Sequence, residues 1–75
     1  MQDTEKAVSL REQLVAMRLA KKLRQVDVAE SMGVGQPSVS EFERGETNPR
    51  LDTLQRYARA IGARIEFEVV DDGNE

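Results

Sequence analysis

One stretch, residues 25–45 (QVDVAESMGVGQPSVSEFERG), limits the fold of this chain more than any other. It predicts two short helices joined by a tight turn, because Gly33 suits the left-handed position that ends a helix. In the second helix, residues 36–44, Val39 and Phe42 are three positions apart and therefore share one face. The stretch therefore predicts a helix that is buried on one side and carries hydrogen-bonding groups on the other. Such a helix suits a groove in DNA.

The composition excludes several classes of protein. A chain of 75 residues allows one small domain with one core. It has no Cys and no His, which excludes disulfides and thiolate metal sites and removes the commonest general base. It has no apolar run of about 18 residues and no signal-peptide pattern at its start. We therefore expect a cytoplasmic protein without a cofactor, a bound metal or a membrane contact, and binding to DNA would make it nucleoid-associated.

The net charge of −3 is unevenly distributed along the chain. Residues 9–64 carry ten Lys/Arg against seven Asp/Glu, whereas residues 65–75 carry five acids and no base. A mildly basic body is thus followed by an acidic end. The net charge of the whole chain is for this reason a poor guide to its partners.

Local signals predict the remaining helices. Residues 9–12 (SLRE) match a capping box, so the first helix is predicted to start at Ser9 and to end near Lys21, with Thr4 as the alternative start. Residues 1–8 are predicted to be frayed and flexible. The second helix spans about residues 25–32, and the fourth runs from Arg50 or Leu51 to Ile61, so that the domain covers residues 9–62. The spacing of apolar residues predicts these inward positions: Leu10, Leu14, Met17, Val28, Ala29, Met32, Leu51, Leu54, either Tyr57 or Ala58, and Ile61, with Val15 and Leu19 at the margin.

The segment 63–70 changes to strict alternation of apolar and charged residues, which predicts a half-buried β-strand. The chain offers this strand no partner, and an unpaired strand edge is a liability. Pairing with the same strand of a second copy would resolve it, with Arg64 facing Glu68 across a two-fold axis. The alternative is an amphipathic tail folded on its own core. Residues 71–75 are predicted to be a flexible acidic tail. The proposed dimer strand would bury Ile65, Phe67 and Val69.

Several spaced segments together resemble the lambda-repressor-like helix-turn-helix family, also called Cro/cI or XRE. The resemblance covers about residues 14–62. It rests on LRQ at 23–25, VA at 28–29, MGV at 32–34, QPSVS at 36–40, FERG at 42–45, NP at 48–49 and LDTL at 51–54. It implies a mainly α bundle of four to five helices with a helix-turn-helix. The added C-terminal strand resembles that of dimeric antitoxin-type repressors.

The resemblance also implies contacts with double-stranded DNA. In that family the helix that corresponds to residues 36–44 enters the major groove. The residues carried over as base readers are Gln36, Pro37, Ser38, Ser40 and Glu41. Gln36 can bridge N6 and N7 of adenine, whereas Glu41 could accept from cytosine N4 or simply be a solvated surface residue. The residues carried over as phosphate contacts are Gln25, Arg24, Arg44, Thr47 and Asn48.

Two charged residues are assigned to structure instead of readout. The resemblance implies a buried ion pair between Arg18 and Glu43. Three positions depart from the family pattern: Arg24 and Gly35 stand where a Ser or Thr cap is usual, and Lys22 stands where Gly is common. The cluster of Lys21, Lys22 and Arg24 fits either the dipole at a helix end or a phosphate.

These observations predict a sequence-specific DNA-binding transcriptional regulator, a dimeric repressor that reads a palindromic operator. The alternative is an antitoxin or adaptor that also binds a basic protein partner, such as a toxin, through the acidic residues of its C-terminal end. Those acids could equally serve solubility. An enzyme is not expected, because the chain has no Gly-rich phosphate loop and its pair Asp27 and Glu30 fits an exposed helix face.

Overall fold

The structure, a computed structural model, describes the backbone of residues 2–73 and the side chains of residues 10–73. Its four helices are α1 (Gln2–Ala20), α2 (Gln25–Met32), α3 (Gln36–Arg44) and α4 (Leu51–Ala60). Helix α2 packs on α3 and α4, and α1 packs on α4 and α3. The predicted mainly α fold with a helix-turn-helix is confirmed. None of these helices is long and apolar enough to cross a bilayer.

The first helix is longer than its sequence signals indicate. It begins at Gln2, so the predicted start at Ser9 is wrong, and the alternative start near Thr4 is the closer one. A capping box favours a helix start but does not forbid further turns, because adding a residue to an existing helix is much easier than nucleating a new one. The flexibility that we assigned to residues 1–8 stays a prediction.

All four described helices end in the same hydrogen-bonded motif. In α1, Leu23 N–H donates to Arg18 O at 3.1 Å and Lys22 N–H donates to Leu19 O at 3.0 Å. This is the Schellman pattern, which needs a residue with left-handed backbone just after the helix. The residues in that position are Lys22 (φ 61), Gly33 (φ 73), Gly45 (φ 75) and Gly62 (φ 75). These local stops keep α2 and α3 short and set the angle between them.

The core lies where the four helices meet. Its buried residues are Leu14, Val28, Ala29, Val39, Phe42, Leu54, Tyr57, Ala58 and Ile61. The predictions for Met17 and Leu51 are wrong, because these side chains are 43% and 52% exposed. In α1, Arg18 lies one turn after Leu14 and takes the inward position that was expected for Met17. Leu51 is the first residue of α4 and lies at the edge of the packed region.

The C-terminal segment forms no strand within residues 2–73. Ala63 and Ile65 pack against the core, which partly matches the alternative of a tail folded on its own domain. Phe67 and Val69 do not, since they are 56% and 99% exposed. A strand is defined by hydrogen bonds to a neighbour, and the described residues 2–73 supply no second strand. The strand that we predicted to pair with a second copy therefore stays a prediction.

Candidate nucleic-acid interface

The turn between α2 and α3 brings the first residues of the two helices together. Gln25 begins α2 and Gln36 begins α3. Nε2 of Gln36 donates a hydrogen bond to Oε1 of Gln25 at 3.1 Å. The residues before these helices, Arg24 and Gly35, make no side-chain cap to the helix N–H groups. Two helix N-termini with uncapped N–H groups and an amide pair thus form one exposed polar surface.

Beneath this surface lies an ion pair between Arg18 and Glu43. Nε of Arg18 donates to Oε2 of Glu43 at 2.7 Å, and Nη2 donates to Oε1 at 3.0 Å. The two side chains are only 9% and 7% exposed. Nη1 of Arg18 also donates to the carbonyl of Leu23 at 2.7 Å. The pair joins α1 to α3 and to the corner before α2, so it fixes how the helix-turn-helix sits on the rest of the domain.

Two further side chains donate to the Glu43 carboxylate. The hydroxyl of Tyr57 donates to Oε2 at 2.6 Å, and Nε2 of Gln25 donates to Oε1 at 2.9 Å. Burial raises the pKa of Glu43, but the hydrogen bonds from Arg18, Tyr57 and Gln25 together outweigh it and hold the pKa below its ordinary value. Burial and the contact with Glu43 raise the pKa of Tyr57 well above its ordinary value. At neutral pH Glu43 is thus an acceptor and Tyr57 a donor.

The residues predicted to read bases lie on the outer face of α3. Pro37, Ser38 and Glu41 are exposed together with Gln36, whereas Ser40 is half-buried. Arg44, a predicted phosphate contact, donates through Nη1 to the hydroxyl of Ser40. It also pairs with Glu46 through Nε at 2.7 Å. The structure therefore links one predicted base reader to one predicted phosphate contact, one turn apart on α3. The remaining phosphate candidates, Thr47 and Asn48, lie exposed in the α3–α4 loop.

Arg24 is already engaged along the first turn of α2. Its Nη2 donates to Oδ1 of Asp27 at 2.8 Å, and its backbone N–H donates to Oδ2 of Asp27 at 2.8 Å. The Arg24 side chain and backbone donors lower the pKa of Asp27 to about 2. Asp27 thereby supplies a hydrogen bond at the start of α2, where the usual Ser or Thr cap is missing.

Sequence reasoning missed the partners of Tyr57, Lys21 and Arg64. The hydroxyl of Tyr57 binds Glu43, although periodicity placed Tyr57 only as a candidate core residue. A buried Tyr needs a partner for its hydroxyl, and that need was the available signal. Lys21 donates through Nζ to the carbonyl of Ile61 at 2.6 Å, so it caps the end of α4 instead of its own helix. Arg64 pairs with Glu66 of the same chain at 2.8 Å. Within the described residues no group of His, Cys, Asp or Glu is arranged to hold a metal ion.

Two short helices at a glycine-ended turn, the second buried through Val39 and Phe42 and polar outside, define a helix-turn-helix domain. The chain belongs to the helix-turn-helix family, whose sequence profile matches residues 14–67. The predicted family is thereby confirmed.

Three relatives illustrate this membership. The chain is similar to antitoxin HigA1 of Mycobacterium tuberculosis (strain H37Rv), with 51% identity over 65 residues, which cover 87% of this chain and 44% of that protein. It is similar to the HTH-type transcriptional regulator DdrOP3 of Deinococcus deserti, with 38% identity over 77% of this chain and 45% of that protein. It is also similar to the cryptic phage CTXphi transcriptional repressor RstR of Vibrio cholerae, with 34% identity over 75% of this chain and 50% of that protein. The chain thus spans about half the length of these curated relatives.

Proposed function

We propose that this chain binds double-stranded DNA with sequence specificity and acts as a transcriptional repressor, with α3 in the major groove. The observation that carries the proposal is the hydrogen bond between half-buried Gln25 and exposed Gln36, supported from below by the buried side chains of Arg18 and Glu43. A glutamine held in this way can offer an N–H and an oxygen to one adenine edge. Relatives named as a transcriptional regulator and a repressor support the same function.

The remaining contacts follow from position and donor count. On this proposal, bases are also read by Pro37, Ser38, Ser40 and Glu41. Phosphates are bound by Gln25, Arg24, Arg44, Thr47 and Asn48. The internal bonds of Arg24 and Arg44 do not prevent this, because each uses only part of the five N–H donors of a guanidinium. Phosphate contacts of this kind set the register of the protein on DNA and make its affinity fall steeply with salt.

Selection of bound sequences from random DNA tests the function directly, followed by mobility-shift titration on the selected site. We expect the wild-type protein to enrich one half-site and the double variant Gln36→Ala/Ser40→Ala to lose discrimination while keeping weak, salt-sensitive binding. Glu12→Ala, an exposed change on α1, is the control and should bind like the wild type. Equal binding of the selected site by the double variant would show that α3 does not read it.

We also propose that the repressor is a dimer on a palindromic operator, paired through residues 63–70. The exposed side chains of Phe67 and Val69 support a partner at this segment. Antiparallel pairing about a two-fold axis at Glu66 would place Arg64 opposite Glu68 of the second copy. It would also place Ile65 opposite Phe67, so that the alternating segment pairs with itself over its whole length. Two reading helices would then meet half-sites about one helical turn apart.

The absence of native cysteine makes the pairing easy to test. A residue on the two-fold axis faces itself, so a Glu66→Cys protein should form a disulfide-linked dimer under mild oxidation. Arg64→Cys and Glu68→Cys should each cross-link far less alone and efficiently when mixed. Cross-linking at all three positions alike, or sedimentation as a monomer at the concentrations used for DNA binding, would reject this dimer without affecting the test for DNA readout.

The second candidate function is that of an antitoxin. The similar protein HigA1 is named an antitoxin, and the present chain carries exposed acids on its C-terminal end at Glu66, Glu68, Asp71 and Asp72. We propose this end as the contact for a basic toxin, with DNA binding retained by the helix-turn-helix. Co-expression with any small basic protein encoded beside this gene tests the idea. We expect a complex that Glu66→Gln/Glu68→Gln weakens, and an unchanged yield of complex in that variant would argue against it.

A further inference from the structure

We propose that Glu43 is a positioning residue for base readout, and that it acts with Tyr57 through Gln25 on Gln36. This inference rests on the proposed DNA-binding function and gives Glu43 a second role beside the ion pair with Arg18. Side-chain hydrogen bonds run without a break from Tyr57 in the core to Gln36 on the surface. In each of these hydrogen bonds it is clear which group donates and which accepts.

The carboxylate of Glu43 determines which groups donate and which accept in these hydrogen bonds. The pKa of Glu43 lies below its ordinary value, so its two oxygens can only accept hydrogen bonds. Oε2 accepts from Arg18 and Tyr57, and Oε1 accepts from Arg18 and Gln25. Because Oε1 cannot donate, the amide of Gln25 must turn its nitrogen toward Glu43.

The orientation of the Gln25 amide in turn fixes the orientation of the Gln36 amide. With Nε2 of Gln25 bound to Glu43, its Oε1 is left to face Gln36 and accepts from Nε2 of Gln36 at 3.1 Å. The amide of Gln36 therefore has one N–H occupied, and it presents its other N–H and its Oε1 to solvent. That donor and acceptor form the pair that matches N7 and N6 of adenine.

Without the carboxylate the orientation is no longer fixed. A glutamine at position 43 could either donate to or accept from Gln25, so both amide orientations would become available to Gln25 and Gln36. An amide of Gln36 that can turn over no longer prefers one base edge, and holding it for readout costs side-chain entropy. Tyr57 strengthens the arrangement because its hydroxyl helps to hold Oε2 and leaves Oε1 toward Gln25.

The first test needs no DNA. The side-chain NH2 signals of Gln25 and Gln36 are recorded by NMR on ¹⁵N-labelled full-length protein for the wild type, Glu43→Gln and Tyr57→Phe. Ile61→Val is the control, since Ile61 is buried but outside this set of hydrogen bonds. We expect the Gln36 signals to move in Glu43→Gln and Tyr57→Phe and to stay in place in Ile61→Val. Unmoved Gln36 signals in the two test variants would overturn the inference, and Tyr57→Phe serves alone if Glu43→Gln does not fold.

The second test measures specificity. The base pair read by Gln36 is the one whose preference is lost in Gln36→Ala after selection from random DNA. At that base pair we expect Glu43→Gln to lose at least about fivefold of its discrimination and Tyr57→Phe to lose less, with the other positions and the salt slope unchanged. If both variants discriminate at that base pair as well as the wild type does, the inference about Glu43 is overturned, while the proposed DNA-binding function is unaffected. If the wild type selects no sequence, the proposed function fails, while the NMR result still decides whether Glu43 orients Gln36.

Discussion

At the scale of single residues, the ion pair of Arg18 and Glu43 makes the strongest prediction about stability. Removing one partner leaves the other charge buried, so Glu43→Ala should lower the free energy of unfolding by about 3–5 kcal/mol. The double variant Arg18→Met/Glu43→Leu should lose less than the two single changes together, because no buried charge remains. Urea titrations measure all of these.

Glu41→Ala is the matched control for that series, since Glu41 lies exposed on the same helix as Glu43. Its free energy of unfolding should stay within about 0.5 kcal/mol of the wild type. A wild-type midpoint in Glu43→Ala would mean that the pair contributes nothing to stability.

A second prediction for a single residue concerns Lys22, where a substitution should raise the free energy of unfolding instead of lowering it. It ends α1 with a left-handed backbone (φ 61), a conformation that costs an ordinary residue about 1–2 kcal/mol. Glycine avoids that cost but gives the unfolded chain more freedom, worth about 0.4–1 kcal/mol. Lys22→Gly should therefore stabilise the protein by roughly 0–1.6 kcal/mol in thermal unfolding.

The control for this change is Ala16→Gly, which is exposed and lies within the regular part of α1. There glycine should destabilise by about 1 kcal/mol. Two glycine variants that both destabilise would show that the left-handed residue at the end of α1 carries no strain.

At the scale of the helices and the C-terminal segment, sequence patterns correctly predicted those features that residues close together in the chain determine. The bounds of α2 and α3 were predicted correctly, and Gly33 ends α2 as expected. The start of α1 was predicted wrongly, because a capping box does not stop a helix from extending further toward the N-terminus. No strand is formed within residues 2–73, because a strand needs a second strand as its partner, so the dimer strand stays a prediction.

At the candidate site, too, some contacts were predicted from the sequence and others were missed. The resemblance named Arg18 and Glu43, and the structure places them within hydrogen-bonding distance. Tyr57 was missed as a contact of Glu43, since apolar spacing indicates that a side chain is buried but not which group its hydroxyl meets. The placement of Lys21 on the end of α4 joins residues 40 positions apart in sequence, and a pattern along one helix carries no such information.

Helix α2 carries a prediction about pH. The pKa of Asp27 is about 2 in the folded protein against an ordinary 3.8, because Arg24 donates to its carboxylate. A lowered folded-state pKa gives stability that is fully present above the ordinary value and is lost as the pH falls toward the folded value. Asp27→Asn should lower the thermal midpoint by a few degrees at neutral pH. The gap to the wild type should close between pH 3.8 and about pH 2.

Comparison of the two proteins at each pH isolates Asp27 from Glu43, whose pKa is also lowered and which both proteins retain. A gap between their midpoints that stays constant down to pH 2 would show that the carboxylate of Asp27 does not stabilise the start of α2.

At the scale of the whole molecule, the proposed two-fold axis makes opposite predictions for two neighbouring acids. Pairing centred on Glu66 sets that residue against Glu66 of the second copy, and like charges that face each other across strands are destabilising. Glu68 instead faces Arg64 of the second copy, twice in each dimer. Within the chain, Glu66 already binds Arg64 at 2.8 Å and thereby competes with the pairing to Glu68.

Glu66→Gln should therefore tighten the dimer, because it removes one repulsion and frees two arginines, whereas Glu68→Gln should weaken it. Each cross-strand pair contributes roughly 0.2–1 kcal/mol, so the two dissociation constants should differ by about threefold or more. The two variants have the same net charge, so nonspecific electrostatic effects of losing one acid cancel between them. Sedimentation equilibrium measures both constants. Shifts of the same sign would exclude an axis at Glu66 and favour another register for residues 63–70.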